Sequence, residues 1–391
     1  METHIAAVDH VINQFIYSFF VYIQVEHNLH VRTLILNRAN RLNVLSSHMV
    51  CRLLEVYTAC QEEPRVKLVI LRANGKSFCV GGDLEEYFSN KGQWRLNVKI
   101  LWNLYTLMYK IATLGKPQVS ILNGTVMGAG CGISLHGTFR VVTEKTVFAM
   151  PEAVMAGIVP DVGASFFLSR LPGFYGEYIG LTGARLDGTE MLACGLATHF
   201  VPSKKLSLLE EELNKVNTSD LATISAVIDE FSEKPPLKER SAYRRLDIID
   251  RCFSRKTVED VISALETESV KGGDAWISQA VHSMKKASPV SLKVFLNSIR
   301  EGRLQGLGQC LAQEYRIRSH ELLLGQDIFE AFRANFVRKD RTPKWKPSRL
   351  DLVTNEMVDS YFSKVDDDKW EDLVLPVGSS SSKSTSIRAK L

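Results

Sequence analysis

Apolar positions in the first half of the chain alternate between two spacings. Val31 to Leu36 (VRTLIL) and Lys67 to Leu71 (KLVIL) are short, largely apolar runs that read as buried strands, and between them Met49, Leu53, Leu54 and Tyr57 recur at helical spacing behind a Ser46-Ser47 cap. Together they predict a β-α-β unit. Asn74-Gly75 ends the second strand with turn chemistry, and a long helical pattern from about Trp94 to Thr113 leads through Lys116-Pro117 to a third strand, Gln118 to Leu122. After Asn123-Gly124, the glycine-rich stretch Met127 to Gly132 opens a helix toward His136. Two short strands, Phe139 to Thr143 and Thr146 to Met150, precede Pro151-Glu152. From about Leu206 the pattern turns almost wholly helical and more charged, with Pro235-Pro236 as the boundary.

These signals predict an α/β fold with a helical C-terminal region. The core covers 25–234 and the helical region 235–375. Residues 1–24 form an unassigned extension, and 376–391 a Ser- and Lys-rich tail of disordered composition.

Composition narrows the function classes. The 391 residues carry a net charge of only +4, and the basic residues are spread along the chain, so no concentrated stripe points to nucleic acid. The run Val11 to Val25 is interrupted by Asn13, Gln14, Ser18 and Gln24, and no membrane span is expected. Seven cysteines at irregular positions form no disulfide framework and no CxxC pair, which fits a reducing compartment. No metal is expected, since no histidine pair has metal spacing. The absence of a G-x-S-x-G elbow and of a P-loop disfavours a triad hydrolase and a phosphoryl-transfer enzyme.

Two glycine clusters, Gly81-Gly82-Asp83 and Gly128-Ala129-Gly130, each follow a strand and precede a helix. Backbone N–H groups at such junctions are free to bind an anionic oxygen, and two converging on one point make an oxyanion hole. The same glycines also serve plain tight turns. A dinucleotide fingerprint fits poorly, because Gly128 to Gly132 runs G-x-G-x-G with Ile133 where the last glycine belongs. Glu152 and Asp161, separated by an apolar stretch and bracketed by Pro and Gly, suit either general acid/base or nucleophilic work on loops facing a dry cleft, or helix capping. His136 and His199 sit in apolar surroundings and read as packed core residues.

The ordered set LNRANRLNVLS (Leu36 to Ser46), SFCVGGDL (Ser77 to Leu84), ILNGTVMGAGCGISLHG (Ile121 to Gly137), FAMPE (Phe148 to Glu152) and PDVGASFFLSRLPG (Pro160 to Gly173) resembles the crotonase superfamily. Within it the chain is most similar to the 3-hydroxyisobutyryl-CoA hydrolases, especially the plant peroxisomal type. The resemblance covers roughly residues 25–365. It implies a crotonase-like spiral of ββα units, an acyl-CoA substrate and hydrolysis of a short branched 3-hydroxyacyl thioester in valine degradation, with no separate cofactor because CoA is part of the substrate. It also implies that the N–H groups of Gly82 and Ala129 hold the thioester carbonyl, while Glu152 and Asp161 activate water or attack the thioester to form an anhydride.

Gly132 stands where enoyl-CoA hydratases carry their second catalytic Glu, which leaves a crotonase-type hydratase or isomerase as a minor alternative. Two departures point instead toward a catalytically weakened acyl-CoA-binding relative. Leu104 replaces a Glu usual in these hydrolases, and the stretch from Glu152 to Asp161 is one residue longer, a displacement of roughly 3.3–3.8 Å unless a bulge absorbs it. The C-terminal helices either associate into an oligomer or fold back over their own core. The last tripeptide, Ala389-Lys390-Leu391, differs from the peroxisomal address S-K-L only in Ala for Ser, so a peroxisomal import receptor is an expected partner, with a cytoplasmic location as the alternative.

Overall fold

Strands form where aliphatic and β-branched residues run uninterrupted. The computed structural model describes residues 22–375 apart from 273 and 325, so most of the N-terminal extension, the tail and the Ala389-Lys390-Leu391 tripeptide lie outside the described residues. The strands are β1 (Ile23–His27), β2 (Val31–Leu36), β3 (Leu68–Ala73), β4 (Ser77–Val80), β5 (Gln118–Leu122), β6 (Thr125–Met127), β7 (Phe139–Val142), β8 (Val147–Ala149), β9 (Leu186–Asp187) and β10 (His199–Phe200). They build a six-stranded sheet in the order β1-β2-β3-β5-β7-β10 and a four-stranded sheet in the order β4-β6-β8-β9. Only β1–β2 and β8–β9 pair antiparallel. Every parallel neighbour therefore needs a crossover, and helices supply several of them.

The expected β-α-β unit is β2, α1 (Ser47–Glu62) and β3. Ser46 caps α1 by accepting a hydrogen bond from Met49 N, and the helix buries Met49, Val50, Leu53, Val56, Tyr57 and Cys60. β7 and β8 are shorter than their sequence suggests because Thr143 and Thr146 form a turn: Thr143 N donates to Thr146 Oγ1 at 2.7 Å, and that hydroxyl donates to Leu122 O at 2.6 Å. Three further helices bear on the site: α2 (Leu84–Ser89), α3 (Trp94–Ala112) and α4 (Ala129–Leu135).

From Ala242 onward the described residues form helices and connecting turns, including α5 (Pro289–Gly302), α6 (Leu307–Leu324) and α7 (Gln326–Phe332). The long helix α6 lies against α3 and sends Glu314 into hydrogen bonds with Gly163 and Ser165 of the first half. The helical region thus folds back over its own core.

Candidate active site

β4 and β6 run parallel with Val80 opposite Met127, so the chain leaves the sheet side by side at two glycine turns. Gly81 and Gly128 both take positive φ, 95° and 50°, which a side chain would strain. Beyond them the chain enters α2, capped by the Asp83 carboxylate, and α4. The turns nearly touch: a Cβ on Gly128 would lie 3.3 Å from Gly81 Cα and 3.0 Å from Glu152 Oε1. Among the described residues neither the Gly82 nor the Ala129 N–H donates to a protein acceptor. Gly82, Ala129, Glu152 and Asp161 all line one cavity of about 190 Å³, walled by Leu84, Tyr87, Leu101 and Leu104.

Glu152 does not lie on a loop. It begins a π-helical turn, Glu152–Ala156, in which Gly157 N donates back to Glu152 O. A π turn holds one residue more than an α turn, and this one lies within the Glu152-to-Asp161 stretch that the resemblance makes one residue long. Glu152 is 7% exposed, and its Oε2 is buried with no hydrogen-bond partner among the described residues. Burial, reinforced by the nearby Asp161, raises its carboxyl to about 8.

Asp161 has a different environment. Its Oδ2 accepts a 2.6 Å hydrogen bond from Tyr105 Oη and lies 3.2 Å from Arg318 Nε. The Nε–H has no aligned acceptor, so the second contact is one of charges rather than a directed hydrogen bond. Burial raises the Asp161 carboxyl, while Arg318 and Tyr105 oppose that rise. Neither acid caps a helix with its side chain, so the capping alternative is excluded. The two carboxyls share a cavity but have unlike surroundings: Glu152 Oε2 has no hydrogen-bond partner among the described residues, whereas Asp161 Oδ2 meets Tyr105 and Arg318.

Sequence reasoning missed Tyr105, Arg318, Glu314 and Glu321 as partners of the site. Glu314, Arg318 and Glu321 recur at i, i+4 and i+7 on α6, all buried among Leu311, Tyr315, Ile317 and Leu322. Such spacing on an otherwise apolar face was the available signal. His136 packs with Nε2 3.0 Å from Val162 O, and burial lowers it to about 4, so it is neutral near pH 7. His199 is buried beside Asp229 and Ser225, and neither histidine lines the cavity. Among the described residues no group of His, Cys, Asp and Glu could hold a metal ion, and no helix is long and apolar enough to cross a membrane.

A family model described as enoyl-CoA hydratase/isomerase matches residues 31–362. Of the curated proteins, 3-hydroxyisobutyryl-CoA hydrolase 1 of Arabidopsis thaliana is 55% identical over 356 residues, 90% of this chain and 93% of that one. The 3-hydroxyisobutyryl-CoA hydrolase-like protein 1, mitochondrial, of the same plant is 43% identical over 88% of this chain and 87% of its own. The crystal structure of a carnitinyl-CoA dehydratase from Mycobacterium thermoresistibile superposes with a TM-score of 0.81 at 32% identity, covering 90% of this chain and 98% of that one.

Proposed function

The chain belongs to the enoyl-CoA hydratase/isomerase family, on its 3-hydroxyisobutyryl-CoA hydrolase branch, and from that premise we propose that it hydrolyses 3-hydroxyisobutyryl-CoA to 3-hydroxyisobutyrate and CoA in valine degradation. The observation that carries this reading is the meeting of two unengaged backbone donors and two differently partnered carboxyls around one cavity. The thioester carbonyl oxygen binds between the N–H groups of Gly82 and Ala129, each contributing about 3–4 kcal/mol as negative charge develops there. Ala129 in place of the usual Gly keeps its backbone donor.

Asp161, held by Tyr105 and Arg318, takes a proton from water as the water oxygen attacks the carbonyl carbon. The C–S bond then breaks, and Glu152, proton-bearing near pH 7, protonates the departing sulfur. On the covalent route Asp161 itself attacks the carbonyl carbon, the C–S bond breaks as Glu152 protonates the departing sulfur, and water then opens the resulting anhydride, releasing the acid and the Asp161 carboxylate. After a single turnover in ¹⁸O-water, label in Asp161 identifies the covalent route with water attacking the Asp161 carbonyl, and an acyl-enzyme trapped during turnover identifies the covalent route with water attacking the acyl carbonyl.

Hydratase chemistry with paired glutamates lacks room here. A Cβ on Gly132 would fall 2.3 Å from Met108 Cε and 2.9 Å from Val162 Cβ. The π turn supports hydrolysis over the weakened-relative reading by absorbing the extra residue, which leaves Leu104 as that reading's remaining support.

The test is thiol release from 3-hydroxyisobutyryl-CoA, measured beside ligand binding for the native protein, Glu152→Gln and Asp161→Asn. Turnover in the native protein, lost in both variants with binding kept within a few-fold, is expected; binding without turnover in the native protein overturns the hydrolase reading. For location we propose peroxisomal import through Ala389-Lys390-Leu391. Imaging a fluorescent protein that carries this tail, with and without Leu391, checks it, and a mitochondrial or diffuse signal from the intact tail overturns it.

A further inference from the structure

Helix α6 grips the segment that carries Asp161 at three levels. Glu321 Oε1 accepts from Val159 N at 2.7 Å, Arg318 Nε approaches Asp161 Oδ2, and Glu314 accepts from Gly163 N at 2.6 Å, Ser165 N at 2.9 Å and Ser165 Oγ at 2.6 Å. Arg318 is the only cation among the described residues that line the cavity, it is 3% exposed, and its Nη1 is fixed by donating to Glu321 Oε2. A lone guanidinium therefore stands among four buried carboxyls: Glu152, Asp161, Glu314 and Glu321.

We propose that Arg318 is a positioning residue of the reaction: delivered by the C-terminal helix, it fixes Asp161 and decides that Asp161, rather than Glu152, carries the negative charge in the cavity. This rests on the hydrolase reading for its consequence and on geometry for its substance.

The groups that face Asp161 come from four elements: Tyr87 on α2, Tyr105 on α3, Glu152 on the π turn, and Glu314, Arg318 and Glu321 on α6. The carboxyls disfavour a charge on Asp161. The two tyrosines are neutral, burial having raised both hydroxyls above their ordinary value. Arg318 alone supplies positive charge, and an opposite charge this close, desolvated, acts far more strongly than one in water. With the guanidinium removed, burial and the neighbouring acids act on Asp161 unopposed except for the Tyr105 hydroxyl. The difference between the two facing carboxyls then shrinks.

Arg318→Met alone strands Glu321, so the informative variant is the pair Arg318→Met and Glu321→Gln, which removes both charges together. The readout is independent of turnover: protein labelled with ¹³C at aspartate carboxyls, with Asp161 assigned by comparison with Asp161→Asn, is titrated by NMR. Measured against Glu321→Gln alone, the paired variant is expected to raise the Asp161 midpoint by about one pH unit or more, and Arg318→Lys in the same Glu321→Gln background is expected to reverse part of that rise. The acidic limb of kcat/KM follows the same displacement wherever thiol release is measurable. If the methionine pair does not fold, Arg318→Gln with Glu321→Gln keeps donor groups and volume and reads the same shift. An Asp161 midpoint unchanged by loss of Arg318 overturns the inference even if the enzyme hydrolyses its thioester. A shifted midpoint in a protein that releases no thiol upholds the electrostatic role of Arg318 and rejects the hydrolase reading alone.

Discussion

The Tyr105 hydroxyl donates to Asp161 Oδ2 across 2.6 Å, joining the middle of α3 to a turn 56 residues further along the chain. Tyr105 is fully buried, as is most of that face of α3. The hydrogen bond ties the carboxylate to the rigid core on one side while Arg318 meets the same oxygen from the C-terminal region. One oxygen of Asp161 is thus committed to structure at the edge of the cavity that the residue lines.

Tyr105→Phe deletes this bond and little else. A hydrogen bond to a charged acceptor contributes about 1.5–3 kcal/mol, so a lower Tm is expected. A roughly tenfold fall in kcat, equivalent to about 1.4 kcal/mol, should accompany a KM within a few-fold of native. Steady-state kinetics and thermal unfolding check both. An unchanged kcat would show that Arg318 suffices to hold Asp161.

Glu152 makes stability depend on pH in a definite direction. Its folded carboxyl titrates at about 8, against an ordinary value of 4.5. Between those values the folded state keeps a proton that the unfolded state has lost. The contribution of Glu152 is therefore fully present below pH 4.5 and is lost as pH rises through 8, with a slope on the order of 1 kcal/mol per pH unit. Glu152→Gln removes the slope, so the variant should be inactive yet more stable than the native protein at pH 8, with the gap narrowing toward pH 5. Denaturant unfolding at several pH values measures it, and parallel native and variant curves would contradict the buried, proton-bearing state.

How much of the fold and site was legible in the sequence depends on how local each feature is. The β2-α1-β3 unit and the glycine turns show in the chain because a cap such as Ser46 or a turn such as Gly128 acts within a few residues. Glu152 and Asp161 were visible as acids in an apolar stretch, and the structure brings them to one cavity. The partners of Asp161 were not, because Tyr105 and Arg318 reach it from 56 residues before and 157 after, and although the spacing of Glu314, Arg318 and Glu321 marks buried charges, no local rule says which distant carboxylate the arginine meets. The π turn was likewise hidden, since an inserted residue in sequence does not say whether it bulges or displaces the rest of the segment.

That turn gives a third prediction. Met155 is 52% exposed, and its carbonyl oxygen accepts a 2.7 Å hydrogen bond from Asn335 Nδ2. Deleting Met155 restores the shorter spacing of the resembling hydrolases, but it converts the π turn to an α turn, removes the Asn335 contact and rotates Glu152 relative to Gly128. Thiol release should fall by roughly tenfold or more, since sites of this kind tolerate shifts of only about 0.5 Å. A deletion variant faster than the native protein would mean that the π turn misplaces Glu152.

Leu104→Glu puts back the carboxylate that the resemblance implies at this position. Leu104 is 5% exposed and lines the cavity with Glu152, Asp161 and Arg318. The guanidinium already meets Asp161 and Glu321, so a new carboxyl gains no free cation, and burial raises its pKa as it does for Glu152. The folded state then keeps the new proton above pH 4.5 while the unfolded state releases it. Destabilisation relative to the native protein should therefore be small near pH 5 and grow toward pH 8 by on the order of 1 kcal/mol per pH unit. Leu104→Gln, polar but without a charge, should lose a constant amount across the range. Turnover should fall in the glutamate variant as a polar carboxyl intrudes on the apolar wall of the cavity beside Asp161. Denaturant unfolding of both variants at pH 5 and pH 8, paired with thiol release, distinguishes the outcomes: a glutamate variant that is faster than native and no less stable at pH 8 would show that the leucine wall weakens this chain.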